Sequence, residues 1–445
     1  MKVKSFLVSG SGMLGSQMIS LLSLPLLTRL FEPAAYAQWA IVQAIVLFVG
    51  AIASLRYDLA IVVEREDDMA SALFWLAALA GCCVALLTAV VLVLIGFIGS
   101  PDQEWLSNTQ TLVISLFWVL TATISPAFTG WCLRKGRFAI MSATQISIAA
   151  TTLAVQAGGG LWSGGNASWR WLLVGSAAGQ AVGLIVLTAQ FIKPEYRPSA
   201  LKAVGRKIGS AGRRHFKFVK FSLPFTVFGA VRDRLPLFVT GAWVSQRELG
   251  LYSQAWRLSN VPAGLTGAVI RPVLFHASAE TGLASLETTI NRILLLLILA
   301  GVPLLAAVMA FPSEVLGWVL GARWREIGPI IAPLLVPAFI FSISNWMDRL
   351  LDSTGRQDLN LTTEIVSGVT SVAALVVVLS LGGGLHAAVA AQSAVLSLNY
   401  LALIYVVYKV AGYDRRKLLL LLLTGLIIYA LCFLTAVAVS HRAAS

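Results

Sequence analysis

The sequence predicts an all-α polytopic membrane protein: two parallel six-helix lobes, twelve core transmembrane helices, and a thirteenth helix near the C-terminal end. Three observations carry this. Thirteen long apolar stretches run from Ser5 to Ser440, the basic residues between them alternate in density, and the first six stretches are echoed by the next six. Composition agrees, since 58% of residues are hydrophobic and only 12% charged, where soluble domains carry roughly a quarter charged residues. The mean hydropathy is +0.83.

A helix needs roughly 20 apolar residues to cross the hydrocarbon core. The first span, 5–29, starts behind Lys2 and Lys4 and ends at Arg29. Spans 38–60 and 70–99 flank the charged segment from Arg56 to Asp68, and spans 109–133 and 138–158 flank Arg134-Lys135-Gly136-Arg137. Span 169–192 closes the first six. Spans 218–243 and 250–275 hold intramembrane charges, and 288–311 and 327–349 follow. Spans 359–381 and 385–408 meet at Gly382-Gly383-Gly384, and 418–440 follows the charged run Asp414-Arg415-Arg416-Lys417. With the N-terminus inside, 23 of the 33 Lys and Arg residues fall on the cytoplasmic side, 6 fall outside and 4 lie within spans. Cytoplasmic loops hold the excess, so this orientation is the expected one. The net charge of +13 then reflects topology and an anionic inner leaflet, and nucleic acid is no expected partner.

The stretch between Lys4 and Ala35-Tyr36-Ala37 is about twice a signal h-region and is interrupted near its end by Arg29 and Glu32, so it is expected to stay as a helix. Cys82, Cys83, Cys132 and Cys432 lie inside helices with no metal spacing. The sequon Asn166-Ala167-Ser168 falls in an outer loop and matters only in a glycosylating host.

The repeat defines the domains. Leu24-Pro25-Leu26-Leu27 and Tyr36-Ala37-Gln38-Trp39 are echoed by Leu235-Pro236-Leu237-Phe238 and Tyr252-Ser253-Gln254-Ala255-Trp256. Trp131 and Gly136-Arg137 are echoed by Trp346 and Gly355-Arg356, and Gly158-Gly159-Gly160-Leu161 by Gly382-Gly383-Gly384-Leu385. Six spans per half give both halves one orientation, a recurrent transporter plan. The expected division is an N-terminal lobe over 1–192, a basic cytoplasmic linker over 193–217, a C-terminal lobe over 218–410, and an extra helix and tail over 411–445.

Gly10-Ser11-Gly12-Met13-Leu14-Gly15 matches a dinucleotide fingerprint but lies inside a membrane span with no strand before it. Read as a helix, Ser5, Ser9, Gly12, Ser16, Ser20 and Ser23 share a face. Helix packing and a lumen-facing stripe both fit that pattern.

Charges inside a membrane cost from about 3 to more than 10 kcal/mol, so they mark function. Arg232-Asp233-Arg234 falls near the middle of span 218–243, on or beside the face of Ser222, Thr226, Gly229 and Thr240. Arg257 and Arg271, 14 residues apart, share a face of span 250–275. One aspartate cannot neutralise four arginines, which points to an anion-binding cavity; internal pairing and snorkelling are the competing readings. Arg56 and Asp58 are secondary substrate-binding candidates, as are Asn345, Asp348 and Asp352. Glu364, on one face with Ser367 and Ser371, and Asp233 are candidates for ion coupling, set against plain helix–helix hydrogen bonding. No catalytic constellation, metal site, Walker motif or cofactor motif stands out.

Leu26-Leu27-Thr28-Arg29-Leu30-Phe31-Glu32-Pro33 with Tyr36 resembles the end of the first helix in polysaccharide flippases of the Wzx type. Leu55-Arg56-Tyr57-Asp58-Leu59-Ala60-Ile61-Val62 with Glu66-Asp67-Asp68 is similar to their second-helix signature. Leu320-Gly321-Ala322-Arg323-Trp324-Arg325-Glu326-Ile327-Gly328 resembles the entry to the tenth helix, and Asp348-Arg349-Leu350-Leu351 with Gly355-Arg356-Gln357 its exit. The resemblance covers nearly the whole chain and belongs to the multidrug/oligosaccharidyl-lipid/polysaccharide exporter superfamily. It implies two lobes in a V around a cationic cavity, and alternating-access translocation of an undecaprenyl-pyrophosphate-linked oligosaccharide. The implied location is the bacterial inner membrane, for synthesis of O-antigen, capsule or exopolysaccharide. A polysaccharide polymerase and a chain-length regulator are the implied protein partners. The thirteenth span departs from the even number usual in the family. A cation-coupled exporter would want acidic cavity residues, and a glycosyl polymerase or ligase a sizeable outer loop; the longest here runs from about Pro312 to Glu326.

Overall fold

The computed structural model describes residues 3–98, 108–164, 167–347, 350–351 and 356–444. Among these there is no β-strand. Helices α1 (Val3–Leu30), α2 (Pro33–Ile52), α3 (Tyr57–Val63), α4 (Asp67–Ile98), α5 (Thr109–Arg134), α6 (Phe138–Trp162) and α7 (Arg170–Thr188) come first. Short helices α8 (Leu201–Val204) and α9 (Ile208–Arg214) follow, then α10 (Leu223–Trp243), α11 (Gln246–Ser259), α12 (Val261–Thr281) and α13 (Glu287–Ala310). The series closes with α14 (Pro312–Leu320), α15 (Gly328–Ser344), α16 (Gln357–Ser380), α17 (Gly384–Ala411) and α18 (Arg415–Ala444). Among the described residues, ten helices are long and apolar enough to cross a membrane: α2, α4 to α7, α13 and α15 to α18. The protein is a multi-pass membrane protein. The other three expected spans, 5–29, 218–243 and 250–275, are helical but stand outside those ten.

The chain divides into two compact units, Met1–Arg234 and Leu235–Ser445, with the boundary inside α10. In the first unit, glycines let helices touch. A Cβ on Gly179 would lie 2.8 Å from the Ile148 carbonyl, and one on Gly183 2.4 Å from the Ile148 side chain, so the 179/183 spacing seats α7 directly on α6. The indole of Trp39 on α2 donates to Ser176 Oγ (2.9 Å), and Gln156 Nε2 on α6 donates to the Leu172 carbonyl (2.8 Å), tying three helices through buried polar groups. A Cβ on Gly12 would meet Ser142 of α6 at 2.3 Å. At that residue the small-residue stripe of α1 is a packing face; the side chains of Ser5 and Ser9 lie outside the described set.

Two expected spans are broken, each for a local reason. Span 38–60 becomes α2 and α3, separated at Leu55 and Arg56, whose φ angles of 49° and 64° are the only positive ones among described non-glycine residues. Span 250–275 becomes α11 and α12, separated at Asn260. Pro262 lacks an N–H and its ring opposes the carbonyl four residues back, so the α11 hydrogen-bond ladder ends there. The Asn260 amide covers the Trp256 carbonyl at 2.8 Å. Ser245 and Glu248 cap the start of α11 reciprocally.

The second unit has its main core around Trp346, Ile290, Leu294, Leu403, Val407 and Tyr408. Helix α18 joins it along α13: Lys417 pairs with Glu287 at 2.8 Å, and Gly425 abuts Ile298. Leu418 is buried in that core, while Leu420, Leu426, Leu431 and Leu434 are exposed, as a hydrocarbon-facing surface requires.

The repeat echoes are unequal in structure. Tyr36 and Tyr252 are both fully buried, as are Trp131 and Trp346. The glycine triplets differ: Gly158–Gly160 continues α6, with Gly159 against Trp171, whereas Gly382 and Gly384 adopt φ of 77° and 70° in a turn.

Gly130 of α5 is packed against the backbone of the Arg56–Asp58 turn, where a Cβ would lie 2.6 Å from the Asp58 carbonyl oxygen. Gly130→Ala is expected to cost about 1–3 kcal/mol, read as a lower thermal midpoint of the purified full chain; an unchanged midpoint would refute this contact.

Candidate functional site

The charges of α10 that the sequence reading expects inside a membrane sit on the first unit. Arg232 places Nε and Nη2 both 3.0 Å from Asp233 Oδ1. The guanidinium is the more deeply covered partner, its side chain 15% exposed against 45% for the aspartate. Arg234, half-buried next in sequence, is also attracted by Asp233. Two guanidiniums against one carboxylate leave a formal surplus of one positive charge on this turn. Thr226 and Thr240 turn their hydroxyls back onto the carbonyls of Ser222 (2.8 Å) and Pro236 (2.7 Å), so their own polar groups are already used by the helix.

Arg56 and Asp58 form the second charged turn of this unit. Ser54 Oγ donates to Asp58 Oδ1 at 2.5 Å, and Arg56 Nη1 stands 3.9 Å from Asp58 Oδ2. Arg56 Nε is buried with no hydrogen-bond partner. A left-handed backbone at two consecutive side-chain-bearing residues costs of order 1–3 kcal/mol each and persists where the surroundings demand it. Here Tyr57, buried between the two charges, donates to the Gly212 carbonyl at 3.3 Å.

In the second unit, Arg257 lies on α11 and Arg271 on α12, both half-buried. The four-turn face expected for them assumed one continuous helix; the break at Asn260 interrupts it. A shallow surface crevice lies beside that break, lined by Trp256, Asn260, Phe341 and Tyr400 among others. Glu364 is half-buried on α16, with Ser367 and Ser371 buried on the same face. Asn345 straps α15 to α12 through a 2.6 Å hydrogen bond to the Ala263 carbonyl. Asp348 and Asp352, and with them Arg349 and Gly355, lie outside the described residues, as does Asn166.

A charged cluster that the sequence reading missed lies between α3 and α4. Glu64 is 2% exposed at its side chain and accepts from the Arg65 and Glu66 backbone N–H groups at 2.7 and 3.1 Å. Its Oε2 lies 2.7 Å from His215 Nε2 and 3.6 Å from Arg214 Nε. Burial by itself would raise the carboxyl pKa, but the His215 hydrogen bond, the two backbone N–H groups and Arg214 outweigh it and hold the value at about 2. Next to it Arg134 donates to the Ile61 carbonyl at 3.1 Å, to the Glu64 carbonyl and to Asp67 at 2.7 Å. Lys207 reaches Asp68 at 2.5 Å, and Arg214 also meets Glu66 at 3.2 Å. The segment expected as a linker is therefore seated on the first unit, its Val204 and Ala211 in the core with Phe74, Leu73 and Trp131. The sequence signal was present as acids at 64, 66, 67 and 68 and bases at 207 and 214, but nothing local pairs them.

The polysaccharide biosynthesis protein family matches residues 26–329. A Haloferax volcanii protein named "Probable low-salt glycan biosynthesis flippase" is 22% identical over 239 residues, 52% of this chain and 48% of that protein. The succinoglycan biosynthesis transport protein of Rhizobium meliloti is 20% identical over 339 residues, 71% of this chain and 62% of its own. The chain thus spans about half to three fifths of the curated relatives it matches. Among solved structures, the lipid II flippase MurJ in an inward closed conformation superposes with a TM-score of 0.71 at 12% identity, over 98% of this chain and 99% of that one. An inward-facing MATE-family multidrug transporter superposes at 0.68 and 13% identity, over 92% and 98%. At such identities these two likenesses establish the fold alone.

Glu64→Gln removes the buried charge facing His215 and Arg214 and is expected to destabilise the chain by roughly 3 kcal/mol at neutral pH. A carboxylate with a depressed pKa stabilises the fold above its ordinary value of 4.5 and ceases to do so as pH falls towards about 2. The gap in thermal midpoint between the two proteins is therefore expected to close over that window; equal midpoints at pH 7 would refute the role assigned to Glu64.

Proposed function

We propose a transport function for this chain, which belongs to the polysaccharide biosynthesis protein family. It is a flippase that carries an undecaprenyl-pyrophosphate-linked oligosaccharide from the cytoplasmic to the periplasmic leaflet of the inner membrane, for assembly of surface polysaccharide. The names of two curated relatives, a glycan biosynthesis flippase and a succinoglycan transport protein, support this reading. The observation that carries it is the charged turn of α10. A headgroup diphosphate loses its water when it enters the membrane, and that loss is repaid only by charge-assisted hydrogen bonds. Arg232 and Arg234 outnumber Asp233 on this turn, which is the sign of charge that a diphosphate needs.

In this reading Arg232 and Arg234 bind the diphosphate, and Asp233 orients Arg232 and keeps the site from trapping its cargo. Arg257, Arg271, Arg56 and Asp58 are assigned to the path of the headgroup. Glu364 and Asp233 are assigned to ion coupling. The N-terminus is cytoplasmic, and the process is alternating access without bond chemistry. A polymerase and a chain-length regulator act downstream of the product.

The leaflet that holds the lipid-linked oligosaccharide in a deletion strain tests the whole reading. The expected result is accumulation facing the cytoplasm with loss of surface polysaccharide. Normal polysaccharide together with new sensitivity to cationic drugs would overturn it in favour of an exporter. At the residue level, Arg232→Gln and Arg234→Gln are each expected to slow translocation in proteoliposomes roughly tenfold or more, the worth of one charge-assisted hydrogen bond. Wild-type rates in both variants would remove α10 from the substrate path.

A further inference from the structure

The segment from Ile192 to Phe221 has two chemically distinct faces. On the side held to the first unit its groups are matched, though Lys207 and Arg214 stay partly exposed: Lys207 to Asp68, Arg214 to Glu64 and Glu66, His215 to Glu64, with Val204 and Ala211 buried beneath. Its outward groups are not. Lys193, Lys202, Arg206, Arg213, Lys217 and Lys220 are all exposed, and among the described residues none meets a carboxylate. Between these cations stand four exposed apolar side chains, Ile192, Leu201, Phe216 and Phe221, the two phenylalanines 55% and 67% exposed. The ammonium groups of Lys217 and Lys220 lie over the rings of Phe218 and Phe221 at 5.7 and 5.3 Å.

Neither water nor hydrocarbon suits such a face. Water leaves the apolar chains unshielded, and hydrocarbon leaves six cations unsolvated. A free phosphate would answer the cations but not the phenylalanines. The boundary between lipid headgroups and acyl chains answers both, because basic residues meet lipid phosphates there while aromatic and aliphatic side chains enter the acyl region. We propose that this outward face of residues 192–221 is a docking surface for anionic lipid headgroups. The acid-matched inward face holds the segment on the first unit so that its cations all present together. The proposal concerns the linker alone and does not depend on what the protein transports.

Hydrogen exchange on the full chain in nanodiscs tests it. Backbone amides of residues 201–221 are expected to exchange roughly tenfold more slowly in phosphatidylglycerol-containing bilayers than in phosphatidylcholine alone. High salt should abolish the difference. The variant Arg206→Gln/Arg213→Gln/Lys217→Gln/Lys220→Gln, which touches none of the matched inward pairs, should lose it while keeping the wild-type thermal midpoint. Phe216→Ser/Phe221→Ser should weaken it without changing its salt dependence. Equal exchange in the two bilayers overturns the proposal, as does a difference that survives in the fourfold variant. Protection by inorganic phosphate in phosphatidylcholine nanodiscs equal to that by phosphatidylglycerol also overturns it, by assigning the face to a soluble anion. A flippase assay plays no part in this readout, so failure here leaves the transport reading untouched and the reverse also holds.

Discussion

Hydrocarbon supplies no hydrogen-bond partner, so each backbone N–H and C=O inside a span is satisfied by its own helix or by a side chain close at hand. Next to two of its helix prolines, side chains donate to main-chain carbonyls. Pro25 lies within α1, and Thr28 Oγ1 donates to the Leu24 carbonyl while Arg29 covers that of Pro25. Pro236 lies within α10, and its carbonyl is met by Thr240. Where the ladder stops, at Asn260, the side-chain amide joins the residue's own N–H on the Trp256 carbonyl. The breaks fall beside the charged residues: Arg56 is itself part of one, and Arg257 precedes the other by three residues.

The same scarcity of solvation governs the charges. Glu64 is almost fully buried, but it accepts two backbone hydrogen bonds, meets His215 and lies near Arg214, so its charge is distributed over several donors. Asp233 is more open and is held by Arg232 through one oxygen. The first arrangement is saturated and fits a structural joint. The second is more open and sets two guanidiniums against one carboxylate. This difference in saturation separates the joint of the basic segment from the candidate substrate turn, although both are acid–base clusters in one unit.

Helix positions were legible from the sequence because the signal is local: about 20 apolar residues between polar ends, whatever their neighbours. The breaks at Leu55–Arg56 and Asn260 were not, since both sit in stretches whose average hydropathy still reads as one span. Pro262 was a visible hint for the second. Of the residues read as a repeat, Tyr36 and Tyr252 are both buried. The repeat misled at the glycine triplets, because glycine serves equally for close helix packing, as at Gly159, and for a left-handed turn, as at Gly382.

The sequence by itself determined that this is a helical multi-pass membrane protein, because length and hydropathy are properties of contiguous residues. Only the tertiary structure decided which charges meet. It matched Arg232 with its neighbour Asp233 when Arg234 was equally near in sequence, and it brought His215 to Glu64 across 151 residues. It also turned an apparent free linker into a segment with a matched face and an unmatched one. Coulomb attraction and desolvation depend on distance and burial in space, and neither can be read along a chain before the chain has folded.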